Sequence, residues 1–161
     1  MTIFPYAGKV IWIGLRPAPR VPMRSLPRVE AIAGRGLAGD RTAEKSRPDN
    51  KRQVTLIQAE HLEAVGKLLR RDAIDPGLTR RNIVISGINL VALKSHSLRI
   101  GASVFQLTGE CHPCSLMETQ LGIGGYNAMR GHGGMTAIVL ESGTIEVGAV
   151  VTPLALSEAV E

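Results

Sequence analysis

Both cysteines of the chain lie in one short segment, Cys111-His112-Pro113-Cys114, within a stretch spanning residues 109–134. The same stretch carries two of the four histidines, His112 and His132, together with Asn127, Arg130 and seven glycines. A thiolate is a nucleophile and a soft metal ligand, and nearby cations or a helix N-terminus favour it over the thiol. Pro113 suits the first position of a helix that Ser115-Leu116-Met117-Glu118 would continue, which would set Cys114 at the helix N-terminus. His112, His132 and Arg130 are candidate cations around it. The glycines either let the backbone approach a ligand or simply turn the chain.

Two further clusters suit an anion. In Gly36-Leu37-Ala38-Gly39-Asp40-Arg41, Gly39 permits a tight backbone, Asp40 accepts hydrogen bonds and Arg41 offers a bidentate fork to phosphate or carboxylate. The competing reading is a turn holding a structural Asp–Arg pair. A nucleotide-binding Gly-Lys-Ser/Thr ending is absent. In Thr79-Arg80-Arg81-Asn82, two arginines stand at the entrance of a strand, where they bind an anion or form a solvated edge. Locally the solvated edge is the simpler reading.

The cysteine pair has other readings. Cys111, Cys114, His132 and His112 make a four-ligand zinc set, although a single CxxC lacks the second pair of a strong zinc signature. A thioredoxin-like redox pair requires a βαβ setting, which the pattern does not display. Two packed structural cysteines are the plainest alternative. Cys111 either resolves a persulfide on Cys114 or packs.

The elements that must position these residues are mostly short strands. Strands are expected over residues 6–15, 29–33, 52–57, 83–86, 90–93, 97–100 and 104–108. The apolar run Val10-Ile11-Trp12-Ile13 suits burial on both faces. Residues 135–140 and 144–151 read as a hairpin around Glu141-Ser142-Gly143. One helix is expected over residues 58–71, with Leu62, Val65, Leu68 and Leu69 on its apolar face and His61 packed or facing solvent. Residues 42–51 read as a polar surface loop beside the site. Strands and helices do not alternate regularly, so the fold class is mixed α/β but mainly β, a barrel of mostly antiparallel strands with a few short helices.

The 161 residues suit one domain, with a core from about 6 to 152 and a peripheral tail over 153–161. A net charge of +5 favours an anionic partner, while 3% aromatic residues leave few stacking surfaces for nucleic acid. Neither a secretory signal nor a bilayer-length apolar run is visible, so a cytoplasmic protein without a membrane partner is expected.

Taken in order, Gly36-Leu37-Ala38-Gly39-Asp40-Arg41, Arg80-Arg81-Asn82 before a strand ending in Gly87, Pro113-Cys114, the later glycine-rich piece and the closing strands up to Gly148 resemble the MOSC family, named for the C-terminal domain of molybdenum cofactor sulfurase. The similarity extends from the first strand to Val151 and is to short, stand-alone bacterial members. Thr42-Ala43-Glu44 stands where many relatives have histidine and glycine, and Arg81 where many have glutamate. The resemblance implies a MOSC-like β-barrel that binds molybdenum cofactor or a related molybdopterin. Cys114 then carries sulfur or ligates molybdenum, and Cys111 and His112 assist it. The anionic pterin is held by residues drawn from Gly39, Asp40, Arg41, Arg80, Arg81, Asn82, Asn127, Arg130 and His132. The implied activities are sulfur carriage or transfer, with a separate desulfurase as donor, or reduction of N-hydroxylated compounds with an electron-donor protein. No pyridoxal phosphate is expected in a chain this short. A zinc-binding or structural module is the remaining alternative.

Overall fold

The computed structural model describes residues 3–154. Its elements, in chain order, are β1 (Gly8–Leu15), β2 (Arg24–Ser25), β3 (Arg28–Ile32), β4 (Gly36–Leu37), α1 (Arg41–Lys45), β5 (Val54–Gln58), α2 (Ala59–Leu68), β6 (Ile83–Ser86), β7 (Ser97–Ile100), β8 (Ser103–Glu110), α3 (Leu116–Leu121), α4 (Gly125–Met129), β9 (Met135–Glu141), β10 (Gly143–Glu146) and β11 (Val150–Leu154). Seven strands form a barrel in the order β11-β7-β8-β9-β5-β6-β1, closed where Gly8 and Lys9 of β1 pair with Val151 and Val150 of β11. Within the barrel only β5 and β6 run parallel, with α2 as their crossover. This is the mainly β, mostly antiparallel barrel with a few short helices that the strand pattern implied. A small second sheet, β10-β3-β4, completes the fold.

The barrel interior is aliphatic: Val10, Ile13, Leu56, Ile83, Ile85, Ile100 and Leu107 pack around Phe105. Alternation sends Ile57 of β5 and Val84 of β6 to the outer face. There they meet Leu62 and Val65 of α2, Met117 and Leu121 of α3, and Met129 of α4. Helices of ten, six and five residues are unstable alone. Burial at about 1.5–3 kcal/mol per large apolar side chain is what holds them. The helices therefore pack where β5 and β6 need a second layer, and α3 and α4 bring residues 111–134 with them.

Several expectations change. Ile11 is exposed, because β1 bulges between Val10 and Trp12 and turns it outward. Residues 90–93 contain a 3-10 turn (Val91–Leu93) rather than a strand. Residues 41–45 are helical, since Asp40 caps α1. On α2, Leu62 and Val65 are buried but Leu68 is exposed, because the helix ends there. The expected hairpin does not form. Gly143–Glu146 pairs with β3, and a turn at Gly148 (φ 97°) separates it from β11, which pairs with β7 and β1. Strand β11 also runs through Pro153 and Leu154, opposite Leu98 and Ser97. Pro153 fits because its nitrogen faces the side on which β1 has already ended. Residues 155–161 of the expected tail lie outside the described residues.

Gly133 and Gly134 fix how the cysteine segment meets the barrel. A Cβ on Gly133 would overlap the Cys111 carbonyl, and one on Gly134 (φ 85°) would overlap the Leu56 carbonyl. Gly134→Ala is expected to cost about 3 kcal/mol in urea unfolding. An unchanged midpoint would remove this close approach from the account.

Candidate functional site

A buried polar knot underlies the site. Asp40 is 1% exposed. Its Oδ1 accepts from the Arg16 backbone amide at 2.7 Å and from Asn82 Nδ2 at 3.2 Å, and its Oδ2 accepts from Arg16 Nη2 at 3.1 Å and the Thr42 amide at 3.2 Å. Asn82 donates also to the Gly14 carbonyl, and its Oδ1 accepts from Thr55 through both amide and hydroxyl. The end of β1, the start of α1, β5 and the entrance to β6 are thus joined. Burial works against the Asp40 carboxylate, but the Arg16 side-chain bonds and charge and the Arg16 and Thr42 amides outweigh it and hold its pKa below the ordinary value of 3.8. The structural Asp pair is therefore formed, but its partner is Arg16 rather than Arg41.

Arg80 and Arg81 are both buried, which overturns the solvated-edge reading. Neither is spent on solvent because backbone carbonyls receive them. Arg80 donates to the carbonyls of Val21 and Ala18. Arg81 donates through Nε to Gly133 at 2.7 Å, through Nη1 to Thr79 at 2.9 Å and through Nη2 to Cys111 at 3.3 Å. Burial pulls the Arg81 pKa down, while the thiols of Cys111 and Cys114 act in the opposite direction. Burial likewise lowers Arg80, reinforced by the positive charges of Arg16 and Arg41 and opposed by Asp40.

Cys111 is buried and Cys114 exposed, and both are free thiols. Cys111 continues the β8–β9 ladder through its amide to the Gly134 carbonyl, and Arg52 Nη2 approaches its Sγ at 3.9 Å. The helix after the pair starts later than expected. Ser115 is the N-cap of α3, so Pro113 is not its first residue and Cys114 precedes the cap, its carbonyl accepting from the Met117 amide at 2.9 Å. Proline's fixed φ therefore shapes the turn between the cysteines instead. Beside them lies a cleft of about 100 Å³ lined by Glu110, Cys111, exposed His112, Pro113, Gly131 and Gly133.

A larger cleft of about 370 Å³ is lined by Arg41, Thr42, Lys45, Arg47, Asp49 and Asn50. It borders the cysteine segment through residues 50–52: Asn50 holds the Arg52 amide, the Lys51 carbonyl accepts from Thr108, and Arg52 reaches Cys111. Among the described residues, Arg41, Arg52, Arg80 and Arg81 have no carboxylate within ion-pair distance. Arg41, Lys45 and Arg47 lining one cleft favour an anionic occupant there.

Other expected site residues are placed differently. Gly39 (φ 88°) shapes the turn before Asp40. His132 donates from Nδ1 to the Ala128 carbonyl at 2.9 Å and packs edge-on against His61, ring centroids 5.2 Å apart. Burial, then His132, lowers the His61 pKa. Asn127 lines a separate cleft with Leu68, Arg70 and Ile123, which includes none of Arg41, Arg80 and Arg81. Arg130 is exposed at the end of α4. Among the described residues no three His, Cys, Asp or Glu side chains converge to hold a metal ion, which removes the geometric basis of the zinc set. Arg16 and Arg52 went unrecognised in the sequence. Arg16 follows directly on β1 and Arg52 lies just before Gln53 and β5, and those positions at strand ends were the available signal.

The MOSC domain model matches residues 42–152. No curated protein matches the sequence significantly. Among solved structures, the YuaD protein from Bacillus subtilis superposes with a TM-score of 0.76 at 17% identity, covering 91% of this chain and 94% of that one. YiiM from Geobacillus stearothermophilus gives 0.74 at 14% identity, covering 92% and 75%, and YiiM from Escherichia coli gives 0.67 at 16%, covering 94% and 71%. These likenesses concern the fold.

The depressed Asp40 pKa fixes a pH dependence. Its stabilisation is fully present above the unfolded value of 3.8 and is lost as pH falls through the folded value. Asp40→Asn is expected to remove that acid-dependent part of stability. At neutral pH it should cost about 3–5 kcal/mol, because Arg16 loses its buried partner. Parallel acid titrations of thermal midpoint, identical in slope for both proteins, would contradict this assignment.

Proposed function

The chain belongs to the MOSC domain family, and from that premise we propose that it binds molybdenum cofactor or a related molybdopterin and uses Cys114 as a reactive thiol in sulfur carriage. The observation that carries this reading is the contrast between the two cysteines: Cys114 is exposed and free, while Cys111 is buried, with Arg81 on its carbonyl and Arg52 beside its sulfur. The thiolate is the nucleophile in sulfur transfer, and an exposed free cysteine is open to a donor. The donor set fits the cofactor, which is a pterin with a dithiolene and a phosphate. Arg41, Lys45 and Arg47 around the larger cleft suit its phosphate. When bound, the cofactor supplies a metal or dithiolene centre that accepts or exchanges sulfur.

The chain's own residues divide the work. Arg41 binds the anion. Arg81 positions the cysteine segment through the Gly133 and Cys111 carbonyls. Asp40, Arg80 and Asn82 hold the surrounding loops through their internal hydrogen bonds. Cys114 loads by attack of its thiolate on the outer sulfur of a donor persulfide, such as that of a separate desulfurase. A sulfur–sulfur bond forms at Cys114, the donor's sulfur–sulfur bond breaks, and the donor leaves as its thiol. His112 borders the cysteine cleft as a proton carrier for that exchange.

Incubation with a small persulfide donor, followed by intact mass, should add one sulfur to the wild-type chain and to Cys111→Ser but none to Cys114→Ser. Loading that survives in Cys114→Ser would assign the chemistry to another residue. Arg41→Ala should load normally yet weaken molybdopterin binding about tenfold, the loss of roughly 1.4 kcal/mol. Unchanged affinity would return Arg41 to a solvent role.

A further inference from the structure

A third cavity takes no part in the cysteine chemistry. It encloses about 270 Å³ between β1, the loop that follows it, the turn at residues 75–80 and α3, and its walls include Trp12, Arg20, Ser25, Asp75, Arg80 and Gln120. It shares no residue with the Arg41 cleft or the cysteine cleft. Trp12 is the only tryptophan of the chain. Its indole leans along β1 over Gly14, where any Cβ would collide with the ring. The strand therefore keeps room for a flat aromatic wall, and that wall is only half-buried.

The two arginines of this cavity share an unusual backbone. Arg20 (φ 61°) and Arg80 (φ 62°) are two of the four non-glycine residues with positive φ among the described residues. Such strain gathers where a backbone is held for function. Here the hold is visible: the Arg80 guanidinium donates to the carbonyls of Ala18 and Val21, on either side of Arg20. Neither arginine has a carboxylate within ion-pair distance among the described residues. Asp75 stands on the same wall, its Oδ1 capping the Gly77 amide at 2.9 Å. Its second oxygen remains to accept from a ligand's hydroxyl or amino group.

A ring platform, two cations and one acceptor call for a ligand with three matching parts. We propose that this cavity is a second ligand site for a nucleoside monophosphate-like molecule. Its heteroaromatic ring stacks on Trp12, its anionic group meets Arg20 and Arg80, and its hydroxyl or amino donors meet Asp75. The volume suits one such small ligand rather than a long cofactor. Stacking on an aromatic face tolerates many ring types, so the arginines and Asp75 supply most of the selection.

Trp12 is its own reporter. Its fluorescence is followed while the full chain is titrated with adenosine 5′-monophosphate, with adenosine and inorganic phosphate as probes lacking the anion or the ring. The nucleotide is expected to quench saturably and to bind at least about tenfold more tightly than either part. Arg20→Ala, an exposed position, should weaken the nucleotide about tenfold and leave persulfide loading at Cys114 unchanged. Cys114→Ser should bind the nucleotide as the wild type does. No saturable quench, phosphate alone matching the nucleotide, or full affinity in Arg20→Ala would overturn the site. None of these outcomes bears on loading at Cys114, so the two readings fail separately.

Discussion

The buried carboxylate of Asp40 is the constraint on which the site depends. A lone charge at 1% exposure would be prohibitively unfavourable. It is retained because Arg16 approaches it through side chain and backbone, and Asn82 and Thr42 fill its remaining acceptor sites. Each partner belongs to a different part of the chain. Satisfying one carboxylate therefore brings the end of β1, the start of α1 and the entrance to β6 together, and Thr55 extends the knot to β5. Such a network holds its geometry because a half-satisfied version is worse than none.

Arg81 carries that rigidity to the cysteine segment. It precedes Asn82 in sequence, so the knot fixes its backbone, and its guanidinium then fixes the Gly133 and Cys111 carbonyls. Gly133 and Gly134 allow the two backbones to come so close. The result is a buried cation against the backbone of a segment in which one thiol faces inward and one outward. The cations that remain without carboxylate partners, Arg41 and Arg52 among them, lie along the adjoining surface, where an anionic cofactor would neutralise them. The cavity under Trp12 belongs to the same framework, since Arg80 links its loop to the entrance of β6.

The fold class was legible because strand alternation and punctuation by glycine and proline are local signals. The strand Ile83–Ser86 and the helix on Leu62 and Val65 follow from them. Pairing between distant segments was not legible. Residues 135–151 look like a hairpin locally, yet β10 leaves for β3 and β11 for β7 and β1. Burial of charge was equally hidden: Arg80 and Arg81 read as surface because nothing nearby in sequence reveals the carbonyls of residues 18, 21, 111 and 133 that receive them. The Asp40 pair was anticipated as a type of interaction, but its partner came from 24 residues away rather than from the adjacent arginine.

The central claim is that Cys114 is the reactive group served by this cationic framework. The most direct measurement is elemental analysis together with intact mass on protein purified from a host that makes molybdenum cofactor, wild type beside Cys114→Ser. The account predicts a sulfur-sized addition on the wild type alone, without stoichiometric metal on the thiol. Stoichiometric molybdenum that disappears in Cys114→Ser would replace sulfur carriage with metal ligation. An identical composition in both proteins, or bound zinc, would contradict the account.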